Sequence, residues 1–403
     1  MTGITPWLCM VSLVLSVSAQ ALDADALAER IDWRMERDGD AADLGLPHLP
    51  QLETVNVYRA SEEMGTYSHH QHILWHEDVL YATWSNHKRD EDAPGQRVLF
   101  ALSMDGGDTW TEPAEFIPPQ DHMDPAEEDG HGRRTMCANG LALVDGVVYG
   151  VAEVWRHGGS YRDELDGGLG RLARAIHPDG SLGELFWLIA NPADPLDGFP
   201  GIPGKDQPEF YELGQKIKHY LAQPENIPSW DYRNRFTTRP FTNEGHQLCE
   251  PTHAWRLEDG TYARFWRDLG QCGRNYVSFR EPDGAAWTKP RRTSYPDGNS
   301  RSSAGQLPDG TVYVINNPRE LGHPEHPNRD PLVISLSDDG LIFDRAYVIA
   351  SGVPERRYEG RWKGLGFQYP ASTTNDEYLW ILYSVNKEDV YVTRIPLASL
   401  ARR

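Results

Sequence analysis

The chain has 403 residues, with 39 Lys and Arg against 60 Asp and Glu, and a formal net charge of −21. That balance argues against a nucleic-acid or anionic-membrane surface, both of which need basic patches. With 13 Trp, 18 Tyr, 11 Phe, 37 Gly and 29 Pro, the chain has ample core-forming side chains and many turns, which excludes a disordered chain and a helical bundle.

Residues 7–17 form an apolar run too short to span a bilayer. Val17-Ser18-Ala19 and Ala19-Gln20-Ala21 are both small-x-small cleavage sites. The expectation is a signal peptide over 1–21, a lead segment over 22–50 and one domain over 51–403, secreted or periplasmic. Cys9 leaves with the signal, so Cys137, Cys249 and Cys272 remain, an odd set.

Five segments repeat one pattern. Each has a polar start, an alternating apolar stretch, a tight turn and a second strand rich in Tyr, Val and Trp. They begin at His69-His70, Cys137-Ala138, Glu250-Pro251, Arg301-Ser302 and Gln368-Tyr369. Turns such as Asp145-Gly146, Asp259-Gly260 and Asp309-Gly310 sit in the middle. Each reads as an antiparallel hairpin. After the third strand of the first repeat comes Ser103-Met104-Asp105-Gly106-Gly107-Asp108-Thr109-Trp110. This S-x-D-x-G-x-T-W run resembles the Asp-box of sialidase-like propellers, with degenerate copies at Ser278…Trp287 and Ser337…Phe343. The expected fold is therefore an all-β propeller of four-stranded blades, five to six of them legible. A strand over 55–59 completes the last blade, and residues 190–247 form an irregular insertion.

In such a ring the inner strands line a channel, and the residues at their starts meet. Aligned on the mid-strand aromatic of each repeat, those starts bring His, Glu, Arg, Gln and Tyr together. Six to seven positions after that aromatic stand His87, Trp155-Arg156, Asp268, Arg319 and Asn386. So many titratable groups at one mouth point to an active site. Because alternate strand residues face opposite sides, only one of His69 and His70 is expected to enter the channel.

Ser68-His69-His70, Trp84-Ser85-Asn86-His87 and Pro94-Gly95-Gln96-Arg97 resemble propellers that act on uronic-acid polysaccharides, the ulvan and rhamnosyl-glucuronate lyases. Asn299-Ser300-Arg301-Ser302, Tyr358-Glu359-Gly360 and Gln368-Tyr369-Pro370 are similar to their later blades. The resemblance implies seven blades and β-elimination on an anionic polysaccharide. Its implied catalytic residues are His70, His87 and Arg156. His69, Arg134, Glu250, Arg301, Tyr358, Gln368 and Tyr369 would line the substrate. In this reading a neutral His takes the C5 proton, Arg neutralises the uronate, and catalysis needs no cofactor. The partner is the polysaccharide alone, with no nucleic acid or membrane, and the protein acts as a monomer.

The alternatives are a non-catalytic carbohydrate-binding propeller and another glycosidase, including an exo-sialidase. Sialidase chemistry uses three Arg on the substrate carboxylate, a Tyr/Glu nucleophile pair and an Asp acid. Arg301, Arg319, Tyr369 and Glu250 could serve, although Asn56-Val57-Tyr58-Arg59-Ala60 stands where the sialidase Arg-Ile-Pro motif would open the first blade. Cys249 and Cys272 leave two readings open. One is a disulfide closing a loop of about 23 residues and contributing about 3 kcal/mol. The other is a structural zinc held with His157 and His246, as some of the resembling lyases have.

Overall fold

The structure is a computed structural model, and it describes residues 22–117, 134–156, 168–190, 202–204, 207–226, 242, 245–284 and 286–402. Within these, five antiparallel sheets stand in a ring, each the blade of a β-propeller. The first blade runs Tyr67–His76, Val79–His87, Arg97–Ser103 and Ala114–Ile117. The second runs Arg134–Val144, Val147–Arg156, Gly168–Ile176 and Phe186–Ala190. The third is built on Tyr262–Asp268, Arg274–Arg280 and Arg291–Pro296. The fourth runs Ser303–Gln306, Val312–Asn316, Leu332–Ser337 and Arg345–Ala350. The fifth is Phe367–Thr374, Tyr378–Val385 and Asp389–Pro396, and its outer strand, Glu53–Tyr58, comes from the start of the chain. That pairing closes the ring as the sequence predicts. Seven blades, the number implied by the lyase resemblance, are not seen among the described residues.

In the third blade the inner strand is broken. Leu248–Cys249 and Trp255–Arg256 pair separately with Tyr262–Asp268, and Glu250 lies in the gap between them. Helix Pro208–Leu221, inside the expected insertion, buries Ile217 and Leu221 against Ala142, Phe186 and Leu188 of the second blade. The lead segment is also structured. Its helix Ala24–Arg30 packs on the third blade, and Asp32–Trp33 pairs in parallel with Ile342–Phe343 beside the fourth. The described residues contain no helix long and apolar enough to cross a membrane. Residues 1–21, where the signal peptide is expected, lie outside the described part.

Apolar side chains of neighbouring sheets fill the space between blades, as the alternating pattern requires. The Asp-boxes link one blade to the next. Asp105 accepts from Ser103 Oγ at 2.8 Å and from the Thr109 amide at 2.9 Å, which fixes the hairpin. The hairpin then presents the Gly106 carbonyl to Trp380 of the fifth blade, whose indole donates at 2.7 Å. The same joint recurs at Ser337 to Gly340, where the Gly340 carbonyl accepts from Trp255 of the third blade at 3.0 Å. Gly340 has φ 73°, and a Cβ there would lie 2.9 Å from the Trp255 ring, so glycine is required on two counts.

Candidate active site

The inner strands do not enter the channel as regular strands. His70, Glu250 and Tyr369 have φ of 56°, 50° and 53°, the left-handed region that is costly for residues other than glycine. At His70 and Tyr369 the pairing register slips, between His69 and His72 and between Gln368 and Ala371. Such bulges re-aim side chains. Their effect at the first blade overturns the expectation from alternation: both His69 and His70 enter the site, with ring centroids 4.7 Å apart.

At the centre lies Tyr369, 4% exposed, with Glu250, 1% exposed. The Tyr369 hydroxyl donates to Glu250 Oε1 at 2.7 Å. Arg267 Nη1 donates to the same hydroxyl oxygen at 2.7 Å and to Glu250 Oε2 at 2.9 Å. Three guanidinium groups surround the phenol ring, Arg301 at 5.3 Å, Arg329 at 5.4 Å and Arg267 at 5.9 Å from its centroid. His69 covers the ring at 3.9 Å. Arg301 is fully buried beneath, where Nη2 donates to the Gln71 carbonyl at 2.7 Å and to that of Tyr369 at 3.4 Å. It therefore braces the strained Tyr369 backbone. Gln368, also buried, accepts from Arg329, and Arg329 donates to the Asn299 carbonyl at 3.1 Å.

The electrostatics follow from burial among these charges. Burial pushes the Glu250 carboxyl up, but the charge and hydrogen bond of Arg267, the Tyr369 hydroxyl and Arg301 outweigh it and hold the group below the usual carboxylate range. Burial drives the Tyr369 phenol well above its ordinary value, with Glu250 adding to the rise and Arg267 and Arg329 opposing it. His69 and His70 are held well below the imidazole range, first by burial and then by cations including Lys387 and Arg301, so both rings are neutral at pH 7.

An acidic edge lies beside the histidines. His70 Nδ1 is 3.3 Å from Cys137 Sγ, and that sulfur is 3.9 Å from Asp92 Oδ1. Burial beside Glu91 lifts Asp92 to about 7. Glu91 Oε1 stands 3.8 Å from His70 Nε2, while its other oxygen is paired with buried Lys387. Asp92, lifted to about 7, and Glu250, held low, are two carboxyls whose surroundings push them apart, the pattern of an acid and a base prepared for separate tasks.

The other predicted residues are placed as follows. His87 is tied into its own loop: Nδ1 accepts the Asp90 amide at 2.9 Å and the Arg89 amide at 3.2 Å, and Nε2 is 3.2 Å from the Pro94 carbonyl. Tyr358 lies apart from Tyr369, donating to the Ala60 carbonyl at 3.4 Å beside Lys363. Arg319 braces the lead segment through the carbonyls of Gly39, Ala41 and Ala42. The side chains of Arg134 and Arg156, and the whole of His157, lie outside the described residues. Cys249 and Cys272 form no disulfide, so the disulfide reading is corrected. Cys272 Sγ points at the Arg274 carbonyl at 3.4 Å, and His246 pairs with Asp268 at 3.3 Å. Among the described residues only His69, His70 and Glu91 bring three metal-binding donors within 4.8 Å, so His246, Cys249 and Cys272 do not converge.

The residues that sequence reasoning missed are Arg267, Arg329, Glu91 and Asp92. Arg267 directly precedes Asp268, which the repeat alignment selected. In a strand, that one-residue choice selects the opposite face. Arg329, Glu91 and Asp92 sit in connections between strands, where no periodicity marks them.

Residues 210–381 match the family described as BNR repeat-like domain. A search of curated proteins gives no match. Among solved structures, the chain is similar to one titled "Sialidase", at 23% identity and TM-score 0.73, covering 92% of this chain and 35% of that one. It is similar to the Trypanosoma rangeli sialidase in complex with sialic acid, at 12% identity and TM-score 0.54, covering 88% of this chain and 60% of that one. A Dyadobacter fermentans protein matches at 12% identity and TM-score 0.54, covering 87% of this chain and 100% of that one. The chain thus spans about a third of the first structure and about three fifths of the second. These likenesses establish the fold, an Asp-box, sialidase-like β-propeller.

Proposed function

We propose that the protein is a glycoside hydrolase acting on a sugar that carries a carboxylate, with Tyr369 as nucleophile and Glu250 as its base. One observation carries this reading: the buried Tyr369 hydroxyl donates to Glu250 while accepting from Arg267. A phenol is a poor nucleophile at pH 7, and an adjacent carboxylate that can take its proton activates it. Arg267 lowers the cost of the resulting phenolate, and Arg329 and Arg301 add positive potential around the ring. A neutral phenol attacking beside a bound carboxylate also avoids the repulsion that an anionic nucleophile would meet. The cation cluster suits that carboxylate, with Arg267 and Arg329 nearest the open side because Arg301 is buried. Asp92, near 7, is the candidate proton donor for the leaving oxygen and would later act as base toward water. The sialidase titles of the similar structures are in keeping with this chemistry, as is the exported location the N-terminal sequence leads us to expect.

The test is release of a fluorogenic leaving group from a panel of carboxylated glycosides, sialosides and uronides, by the wild type and by Tyr369→Phe. Turnover that disappears in the variant supports the reading. Turnover unchanged in the variant rejects it.

A second reading, β-elimination on a uronic polysaccharide, is favoured by one feature, the neutral His69 whose ring lies tilted against Tyr369 with centroids 3.9 Å apart, between the cations and the acidic edge. It predicts an unsaturated product that absorbs in the ultraviolet, which hydrolysis does not form. The polysaccharide panel read by absorbance separates the two.

A further inference from the structure

His69 and His70 are neighbours in sequence, yet the bulge and the φ of 56° at His70 turn both rings to the same side. Each ring is anchored through the same atom. His69 Nδ1 lies 3.1 Å from Ser384 Oγ, and His70 Nδ1 lies 3.1 Å from Ser85 Oγ. Anchoring at Nδ1 leaves Nε2 as the outward nitrogen of each ring. His69 is 0% exposed, and its Nε2 has no hydrogen-bond partner. An orphaned buried nitrogen of this kind costs stability unless something occupies the space it faces. Glu91 completes the group, with its Oε1 3.8 Å from His70 Nε2. The donor atoms of all three residues lie within 4.8 Å of one another.

We infer that His69, His70 and Glu91 form a binding site for a late first-row divalent ion, of the Co2+, Ni2+ or Zn2+ class. Two imidazoles and one carboxylate select these ions over Ca2+ and Mg2+, which favour all-oxygen sets. A hydroxyl holding the far nitrogen of each ring is the outer-shell support that metal-bound imidazoles have. Ligand bonds of about 2.0–2.2 Å place tetrahedral donors roughly 3.3–3.5 Å apart, so the three groups need to close by only about 1 Å. The opposing factor is charge. Lys387 already holds the second oxygen of Glu91, and Arg301 and Arg329 are near, while Glu250 offsets part of that field. The ion is not required by the hydrolysis proposed above, so the two ideas stand or fall separately.

Calorimetric titration of the purified, chelator-treated protein with Co2+, and with Ca2+ as control, tests this. The expected result is one saturable Co2+ site with the visible absorption of a nitrogen-ligated ion, and no saturable Ca2+ binding. His69→Ala should abolish it. Ser384→Ala, a milder change that decides the matter should His69→Ala fail to fold, should weaken it by about 10- to 100-fold. His246→Ala with Cys272→Ser should leave it unchanged. No saturable Co2+ binding, binding that survives His69→Ala, unchanged affinity in Ser384→Ala, or loss in the His246/Cys272 double variant would each overturn the assignment.

Discussion

Tyr369 and Glu250 are 119 positions apart, on the fifth and third blades, and are joined across the channel by a 2.7 Å hydrogen bond. Both residues carry positive φ. Strain of this kind costs of the order of 1–3 kcal/mol per residue and persists only where the surroundings enforce it. Here the enforcing contacts are Arg301 under the Tyr369 carbonyl and Arg267 against the Glu250 carboxylate. Two strained residues that meet through their side chains fit the hydrolytic site proposed above, where geometry is held at the expense of stability.

Glu250→Gln should keep the shape of the site and remove the base. Turnover on the responsive carboxylated glycoside is expected to fall by about 10²–10⁴-fold, with KM changed much less because Arg267 and Arg329 remain. Steady-state kinetics check this, and an unchanged kcat would remove Glu250 from the mechanism.

Arg267→Met should be the most destabilising single change at the site. It leaves Glu250, 0% exposed at its side chain, without its principal counter-charge. Breaking a buried pair in this way costs about 3–5 kcal/mol. Urea unfolding of the variant against wild type measures it, and a loss below 1 kcal/mol would show that Arg301 alone can hold the carboxylate.

Stability should fall as pH drops from 6 to 5. His69, His70 and His72 are held well below the imidazole range by burial, and His253 is lowered to about 4 for the same reason. The unfolded chain takes up protons at these four sites below about pH 6.5 while the folded chain does not, so acid favours unfolding. Asp92 and Asp297, both raised by burial to about 7, and Asp330, raised in the same sense, act the other way, because the folded chain binds their protons first. With His87 lowered by burial as well, the imidazoles outnumber the raised carboxyls, so the balance is a net loss of stability on acidification. Below about pH 4.5, protonation of Glu250, whose folded value is depressed, adds to the loss. Denaturant unfolding at pH 7, 6 and 5 gives the slope, and stability that rises toward pH 5 would contradict the balance.

Asp105→Ala should lower stability by about 1–2 kcal/mol and leave turnover alone. Its carboxylate holds Ser103 and the Thr109 amide, and through that hairpin the Gly106 carbonyl meets Trp380. Thermal unfolding and kcat/KM, measured on one preparation, check both halves.

The repeat, the strand-to-turn rhythm and the Asp-boxes were legible in the chain because they are local. An Asp-Gly turn between alternating strands dictates a hairpin, and S-x-D-x-G-x-T-W dictates its own hydrogen bonds. The same repeat, once aligned, pointed to His69, His70, Cys137, Glu250, Arg301 and Tyr369 at one mouth, and they do stand together there. His87 and Arg319 entered the same alignment, yet their side chains hold loops instead. What only the tertiary structure decided is which groups touch. Bulges at His70 and Tyr369 reversed the side-chain parity that alternation predicts, and Glu250 sits in a break between strands. Arg267 and Arg329 were brought to Tyr369 by ring closure. No periodicity encodes such contacts, because they depend on how blades far apart in sequence are set around a common axis.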